Sequence, residues 1–326
     1  MKLSHRRNLL NLAMVAGAVM ALSLTAGAQS YPTRPIRLIV PFPPAGVSDI
    51  IARAMGQWLS DRLGQPFVVE NRGGAGGNLG TEVVVTAPPD GYTLLLDGSV
   101  NAVNASLYPN LRFNYLHDIS PVGSMFRAPH IMEVHSSFPA KTVPAFIAYA
   151  KAHPGEINMA SAGVGTISHM AGELFCLLTG IKLIHVPYRG AGPALVDLLA
   201  GPVQVMFDNA ASSTEHVRAG RLHALAVTTS RRMDVLPDVP SVGEFVRGYE
   251  ASNVNGIGAP ATTPAEIIIK LNTELNTILD DPLTRARFAE LGGTTMIGPP
   301  ADYGRFLAEE TEKWAGVVSA AGLRSD

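Results

Sequence analysis

The chain of 326 residues contains one cysteine, Cys176, which excludes an intrachain disulfide. Cys176 follows Phe175 in an apolar stretch of helical character and reads as a buried, unreactive thiol rather than a nucleophile. Charged residues are scarce, at 16%, and nearly balanced, 25 basic against 27 acidic. Such a chain offers no basic field to nucleic acid or to an anionic membrane surface. It has no G-x-S-x-G elbow, no H-E-x-x-H pair and no C-x-x-C. The usual signatures of an α/β hydrolase, a zinc protease or a thiol redox centre are therefore missing. Neither a cofactor nor a metal is expected.

Acidic residues are also absent before Gln29, and that stretch has the form of a targeting signal. Lys2, Arg6 and Arg7 precede an apolar run from Leu9 to Leu24, and Ala26-Gly27-Ala28 supplies small residues for cleavage. The run is short for a membrane anchor. Residues 1–28 are expected to be a cleaved signal, with the mature protein in the periplasm. The Arg6-Arg7 pair leaves both the general secretory and the twin-arginine route open. Removing the signal takes three positive charges away and leaves a formal charge of about −5.

What the chain does have is a rhythm. Short apolar runs suit strands at Arg37–Val40, Phe67–Glu70, Tyr92–Leu96, Ile131–His135, Ile157–Ala160, Leu183–Val186, Val203–Phe207 and His223–Thr228. Amphipathic stretches suit helices at Ser48–Leu63, Leu79–Thr86, Val143–His153, Ile167–Thr179, Ala191–Ala200, Pro264–Asp280, Pro282–Leu291 and Ala301–Ala321. The alternation predicts an α/β fold with mainly parallel sheets. Continuous runs such as "LIV" and "TLLL" fit strands covered on both faces. The last three helical segments show no clear strand between them. "DISPVGSMFRAPHIMEVH" and "RGYEASNVNGIGAP" read as extended passages crossing to a second lobe and back. Lobe 1 is then residues 31–127 plus 253–326, and lobe 2 residues 128–252, with a ligand site between them.

Two strand-to-helix turns are the leading site candidates. In "VPFPPAGVSD" three prolines hold the chain extended, Gly46 permits close approach, and Ser48 or Asp49 is placed to cap the helix. The other N–H groups at the helix start can face an anion. Phe42, Pro44, Ala45, Gly46, Ser48 and Asp49 form this candidate set. The second turn, "NMASAGVGTISHMAGELF", offers Ala162, Gly163, Gly165, Thr166 and Ser168. His169 reads as a polar helix residue or a donor behind the site, with no partner at metal-ligand spacing. A third candidate is "DGSVNAVNASLYP", with Ser99 and Asn101. Tyr188, Arg189 and Asp208 fall at strand ends. Arg189 has two readings, a partner for a ligand carboxylate or for a structural ion pair. Asp208 has two as well, a partner for a ligand amine or a helix cap. "NRGGAGGNLG" lacks the spacing of a dinucleotide fingerprint and reads as a tight strand-to-helix turn.

These passages resemble, in order and from end to end of the mature chain, the Bug family of receptors for tripartite tricarboxylate transporters. The resemblance is carried by "YPTRPIRLIVPFPPAGVSDIIAR", "ENRGGAGGNLGTEVVVTAPPDGYTLLL", "GVGTISHMAGELF", "VPYRGAGPALVDLLAGPVQVMFDN", "AGRLHALAVTTSRRMDVLPDVPSVGEF", "GIGAPATTPAEIIIKLN" and "EKWAGVV". It implies a two-lobe, type II periplasmic-binding-protein fold of the Venus-flytrap kind with two interlobe crossings. It also implies that turns Phe42–Asp49 and Ala162–His169 grip one ligand carboxylate. The partners implied are a small carboxylate and the membrane subunits of the transporter, with the receptor itself a monomer. The family has two glycines where this chain has Ala45-Gly46, and alanine disfavours positive φ. Two other functions stand beside that of a receptor: a ligand sensor feeding a signalling partner, and a secreted α/β hydrolase.

Overall fold

The computed structural model describes residues 31–325, so the expected signal lies outside them. The chain opens with β1 (Ile36–Val40), α1 (Val47–Leu63), β2 (Phe67–Asn71), α2 (Asn78–Val85), β3 (Thr93–Gly98), α3 (Ser99–Leu107) and α4 (Tyr115–Asp118). A strand of 17 residues, β4 (Ile119–His135), leads into α5 (Val143–Ala152), β5 (Asn158–Ser161), α6 (Ile167–Thr179) and β6 (Ile184–Pro187). There follow α7 (Ala191–Ala200), β7 (Val205–Asn209), α8 (Ala210–Arg218) and β8 (Leu222–Val227). The chain then runs through β9 (Ser252–Pro260), α9 (Ala265–Asp280), α10 (Pro282–Glu290), β10 (Thr294–Thr295) and α11 (Pro300–Ala321).

The strands make two sheets that share β4. In one, β2, β1 and β3 are parallel neighbours, and β9 joins β3 and the first part of β4 antiparallel. In the other, His130–Val134 pairs with β7, beyond which β5 and β6 run parallel. The chain leaves the first sheet within β4, where Pro129 pairs with Ser252 and His130 with Asn209. It returns at β9, and these are the two crossings of a two-lobe binding-protein fold.

The central residues of β1 and β3, Leu38–Val40 and Leu94–Leu96, are apolar because both faces are covered. Leu94 and Leu96 pack under Ile51, Met55 and Leu271, whereas Leu95 packs with Val84, Tyr115 and Tyr303 on the other face. In the second lobe Phe207 and Val205 face Phe146 and Phe175, and Met206 faces Ala194 and Leu198. The lobes also share elements. Ala102 and Leu107 of α3, and Trp314 and Val317 of α11, belong to the apolar cluster of the second lobe, while Tyr303 and Leu307 of α11 pack on the first. The last helix is thus a strap across both lobes.

Several elements depart from the sequence expectation. Helices α3 (SVNAVNASL) and α8 (AASSTEHVR) are rich in Asn, Ser and Thr, whose side chains compete for backbone groups and read as loop. Burial of Ala102, Val103 and Leu107 holds α3 helical, and the Asn209 Oδ1 cap on Ala211 N–H, at 2.9 Å, starts α8. Between the last helices there is a strand after all. The two residues of β10 pair antiparallel with Phe126 and Arg127 of β4. The glycines of β9 made it look like a mere crossing. Gly256 and Gly258 are needed because a Cβ there would stand 2.3 Å from the Tyr303 ring or 2.6 Å from an Asp97 oxygen.

Candidate ligand-binding site

The carboxyl ends of β1, β3, β5 and β7 converge on a cavity of about 180 Å³ between the lobes, the place where open α/β sheets bind ligands. The β1–α1 turn contributes Phe42 and Ser48, and the start of α3 contributes Asn101. From the second lobe come Ala162, Thr166 and Ser168 at the β5–α6 turn, and Asp208 and Asn209 at the end of β7. The crossings supply His130, Asn253 and Asn255. An adjoining space of about 260 Å³ is lined by Gly163, Gly165, Asn104 and the glycine turn at Gly74–Gly77, with Phe42, Val100, Ala162 and Thr166 common to both.

The first turn is anchored by a carboxylate. Asp49 is 4% exposed. Its Oδ2 accepts from Ala45 N–H and Arg53 Nε, both at 3.0 Å, and its Oδ1 accepts from Asn71 Nδ2 at 2.9 Å. The same amide donates to Phe42 O at 3.1 Å. The Arg53 contact, assisted by these hydrogen bonds, holds the Asp49 carboxyl below the usual carboxylate range. Asp49 therefore shapes the turn from behind and does not line the cavity. The helix cap also differs from expectation. Gly46 is the N-cap, with no side-chain cap bond, because Asp49 is engaged with Ala45. The first N–H groups of α1 have no intrahelical acceptor, and Ser48 stands among them at the cavity wall. Ala45 adopts φ +70°, the left-handed region that costs an L-residue about 1–2 kcal/mol.

The second turn is anchored by an imidazole. Thr166 is the N-cap of α6, its Oγ1 accepting from His169 N–H at 3.4 Å and donating to Gly163 O at 2.7 Å. His169 is fully buried. Its Nδ1 accepts from Gly165 N–H at 3.3 Å, so it acts toward the turn as an acceptor rather than a donor. Its Nε2 has Glu173 Oε1 at 3.3 Å, a carboxylate one helical turn on that the sequence reading passed over. His169 stacks on His185 at 3.7 Å between centroids, and His185 Nε2 meets Ser161 Oγ at 2.7 Å. Burial and the neighbouring ring push His185 down to about 4.

Three buried polar atoms in residues of the cavity wall have no partner among the described residues: His130 Nδ1, Ser168 Oγ and Asn253 Oδ1. Such atoms are rare in native proteins and mark places where a ligand or water completes the bonding. Burial pushes His130 down to about 4, so the ring is neutral at neutral pH. Asp208 is not the cap of α8; Asn209 is. Asp208 accepts from the Ser212 hydroxyl, and Ser213 Oγ stands between two carboxyls, 2.7 Å from Glu133 and 3.0 Å from Asp208, with one proton to give to either. Burial raises both carboxyls, and the Asp208 charge raises Glu133 well above its usual range. Asp97 of β3, which also lines the cavity and escaped the sequence reading, accepts from Tyr303 at 2.7 Å and Tyr115 at 2.9 Å and is pushed up to about 6 by burial.

The cavity thus gathers Phe42, Ser48, Asn101, Ala162, Thr166, Ser168 and Asp208 from the expected set, and the adjoining space gathers Gly163 and Gly165. Pro44, Ala45, Gly46, Asp49, Ser99, His169, Tyr188 and Arg189 do not line either space. Ser99 instead holds the return crossing, accepting from Val254 N–H at 3.1 Å. Tyr188 donates to Asp197 at 2.6 Å. Arg189 is exposed and has neither an ion pair nor a side-chain hydrogen bond among the described residues. His130, Asn209, Asn253 and Asn255 escaped the sequence reading. The two asparagines lie in a passage read as a crossing, and His130 sits where β4 changes sheets; an Asn-rich strand between lobes was the available signal. Cys176 is pushed up to about 12 by burial, which leaves no thiolate at neutral pH. No group of three His, Cys, Asp or Glu side chains among the described residues is placed to hold a metal ion.

Residues 51–323 match the model of the tripartite tricarboxylate transporter family receptor. Protein BugT of Bordetella pertussis is 39% identical over 325 residues, which cover 97% of this chain and 99% of that one. Among solved structures, a protein of R. palustris with adipate superposes with a TM-score of 0.80 at 34% identity, covering 90% of this chain and 99% of that one. MatC of Rhodopseudomonas palustris with bound malate gives 0.76 at 32%, covering 88% and 100%. The alkanesulfonate-binding protein SsuA of Xanthomonas axonopodis, at 14% identity, a TM-score of 0.53 and coverage of 90% and 94%, shares the fold alone.

Proposed function

Since the chain belongs to the receptor family of tripartite tricarboxylate transporters, we propose that it closes its two lobes on a small carboxylate in the periplasm and delivers it to the membrane subunits of such a transporter. Lobe 1 is residues 31–127 plus 253–326 and lobe 2 residues 128–252, a division supported by the sheet change within β4 and the return at Ser252. The observation that carries the reading is that two helix-starting turns, one from each lobe, meet across one cavity. Their free N–H groups and the hydroxyls of Ser48, Thr166 and Ser168 are donors for one carboxylate. No arginine or lysine lines the cavity, so the charge is met by oriented dipoles. A ligand that touches both turns favours the closed state by the contacts the open state lacks.

The protein binds without turnover. The Ser161–His185 pair lies under the second turn with Ser161 fully buried, out of reach of a bound acid. Isothermal titration of the mature protein with adipate, malate, tricarboxylates, acidic amino acids and aromatic acids tests the reading. At least one acid is expected to bind and to be recovered unchanged. Folded protein that binds none of them contradicts it.

A further inference from the structure

We propose that His169 is the positioning residue of the second turn: a neutral imidazole whose bare Nδ1 fixes Gly165, so that acid loosens the grip of this turn on the ligand. The inference rests on the receptor reading for its effect on binding, but not for its chemistry. A backbone amide can only donate, so the 3.3 Å contact from Gly165 N–H assigns Nδ1 as the acceptor and puts the ring proton on Nε2, which lies 3.3 Å from Glu173 Oε1 without making a hydrogen bond to it. Gly165 is where the turn needs help. Its φ is +77°, and a Cβ there would stand 2.6 Å from Leu107 Cδ2 of α3. Glycine satisfies that geometry but does not enforce it; the hydrogen bond from behind does.

The neighbourhood keeps the ring in place. His185 of β6 stacks on it at 3.7 Å with an interplanar angle of 16°. Through Ser161 of β5, whose hydroxyl accepts from Gly163 N–H at 3.1 Å, His185 also braces the other glycine of the turn. Two glycines of the turn are thus tied to two stacked imidazoles, while Ala162 and Thr166 face the cavity. The groups that titrate beside His169 are His185 and Glu173. Burial is the main cause that lowers His185 to about 4; a charge on His169 lowers it too, and Glu173 raises it. Protonating His169 at Nδ1 would set N–H against N–H and detach Gly165.

Two measurements decide the matter. In the wild-type protein, long-range proton–nitrogen spectra of the imidazoles should show His169 as the Nε2–H tautomer at pH 7.5. The Gly165 amide should then move together with this ring as the pH is lowered. A protonated Nδ1 at pH 7.5, or a Gly165 amide that ignores the ring, overturns the proposal whether or not any acid binds. The second measurement is calorimetric titration with malate. His169→Ala should weaken binding on the order of tenfold at pH 7.5, the worth of one hydrogen bond. His169→Asn, which keeps an acceptor at the Nδ1 position but takes no proton, should weaken it less and flatten the pH dependence relative to wild type. The protonation of malate is common to all three proteins and cancels in that comparison. A His169→Asn profile as steep as that of wild type contradicts the proposal. Failure of malate to bind wild-type protein bears on the receptor reading for that acid and leaves the spectroscopic result to decide.

Discussion

The two turns that meet at the cavity do the same geometric work with opposite materials. The lobe 1 turn is built of prolines and one strained alanine and is tied down by an ionised carboxylate with an arginine behind it. The lobe 2 turn is built of glycines and is tied down by two stacked imidazoles, one of them fully buried. One obtains its shape from stiffness plus charge, the other from freedom plus a neutral acceptor. A donor-rich turn can be preorganised either way, but the two anchors fail in different pH windows. Asp49 is depressed in the fold, so its contribution is present above the unfolded carboxylate value and is lost only as pH falls through its lower folded value. His185 is also depressed, so the stability tied to its neutral ring is present above about 6.5 and is lost as pH falls toward about 4. On acidification the second turn therefore gives way first.

Removing the charged anchor should have the largest effect. Asp49→Ala leaves Ala45 N–H and Asn71 Nδ2 without their acceptor and Arg53 without its carboxylate. It should cost about 3 kcal/mol of stability, read from the midpoint of urea unfolding. A loss below about 1 kcal/mol would mean that the prolines alone hold the turn. Gly165→Ala attacks the opposite turn through its φ of +77° and the approach to Leu107. It should cost about 2 kcal/mol and weaken ligand binding by a comparable factor. Thr166→Ala removes the helix cap and should cost about 1 kcal/mol, measured the same way. The smallest effect has the opposite sign. Ala45→Gly relieves the left-handed alanine at some cost in chain entropy, for a net gain of about 0.5–1 kcal/mol in unfolding free energy. A loss on making that change would show that the methyl of Ala45 packs against something worth more than its strain.

Much of this architecture was legible in the sequence, for reasons that differ by region. The strands of lobe 1 announced themselves because both faces of β1 and β3 are covered, so their central residues, Leu38–Val40 and Leu94–Leu96, had to be apolar. Helix α6 was readable end to end because Thr166 caps it, its inner face is apolar and Gly180 stops it in the left-handed conformation. Both turns were visible as glycine or proline next to a hydroxyl at a helix start. What the sequence hid was direction. Asp49 looked like a cap and is a brace, and His169 looked like a donor and is an acceptor. Asp208 looked like a helix cap, and that role falls to its neighbour Asn209. Each side chain is a few ångströms from the expected place, and which backbone group it meets depends on the path of a turn. Helix α3 was hidden because its composition argues for loop, and only burial against α11 overrides it; for α8 the sequence offered a cap at Asp208 but no extent, and the cap is Asn209. His130 and the β9 asparagines were hidden because they reach the cavity only once the crossings bring the lobes together.

The central claim is that one ligand carboxylate is held between these two unlike turns. A crystal structure of the mature protein with a bound acid tests it most directly. The account predicts carboxylate oxygens within hydrogen-bonding distance of donors at Val47–Asp49 and at Ala162–Ser168 in the same molecule, directly or through one water, with no arginine or lysine in contact. An acid whose carboxylate is held by one lobe alone, or by a charged side chain, would contradict it.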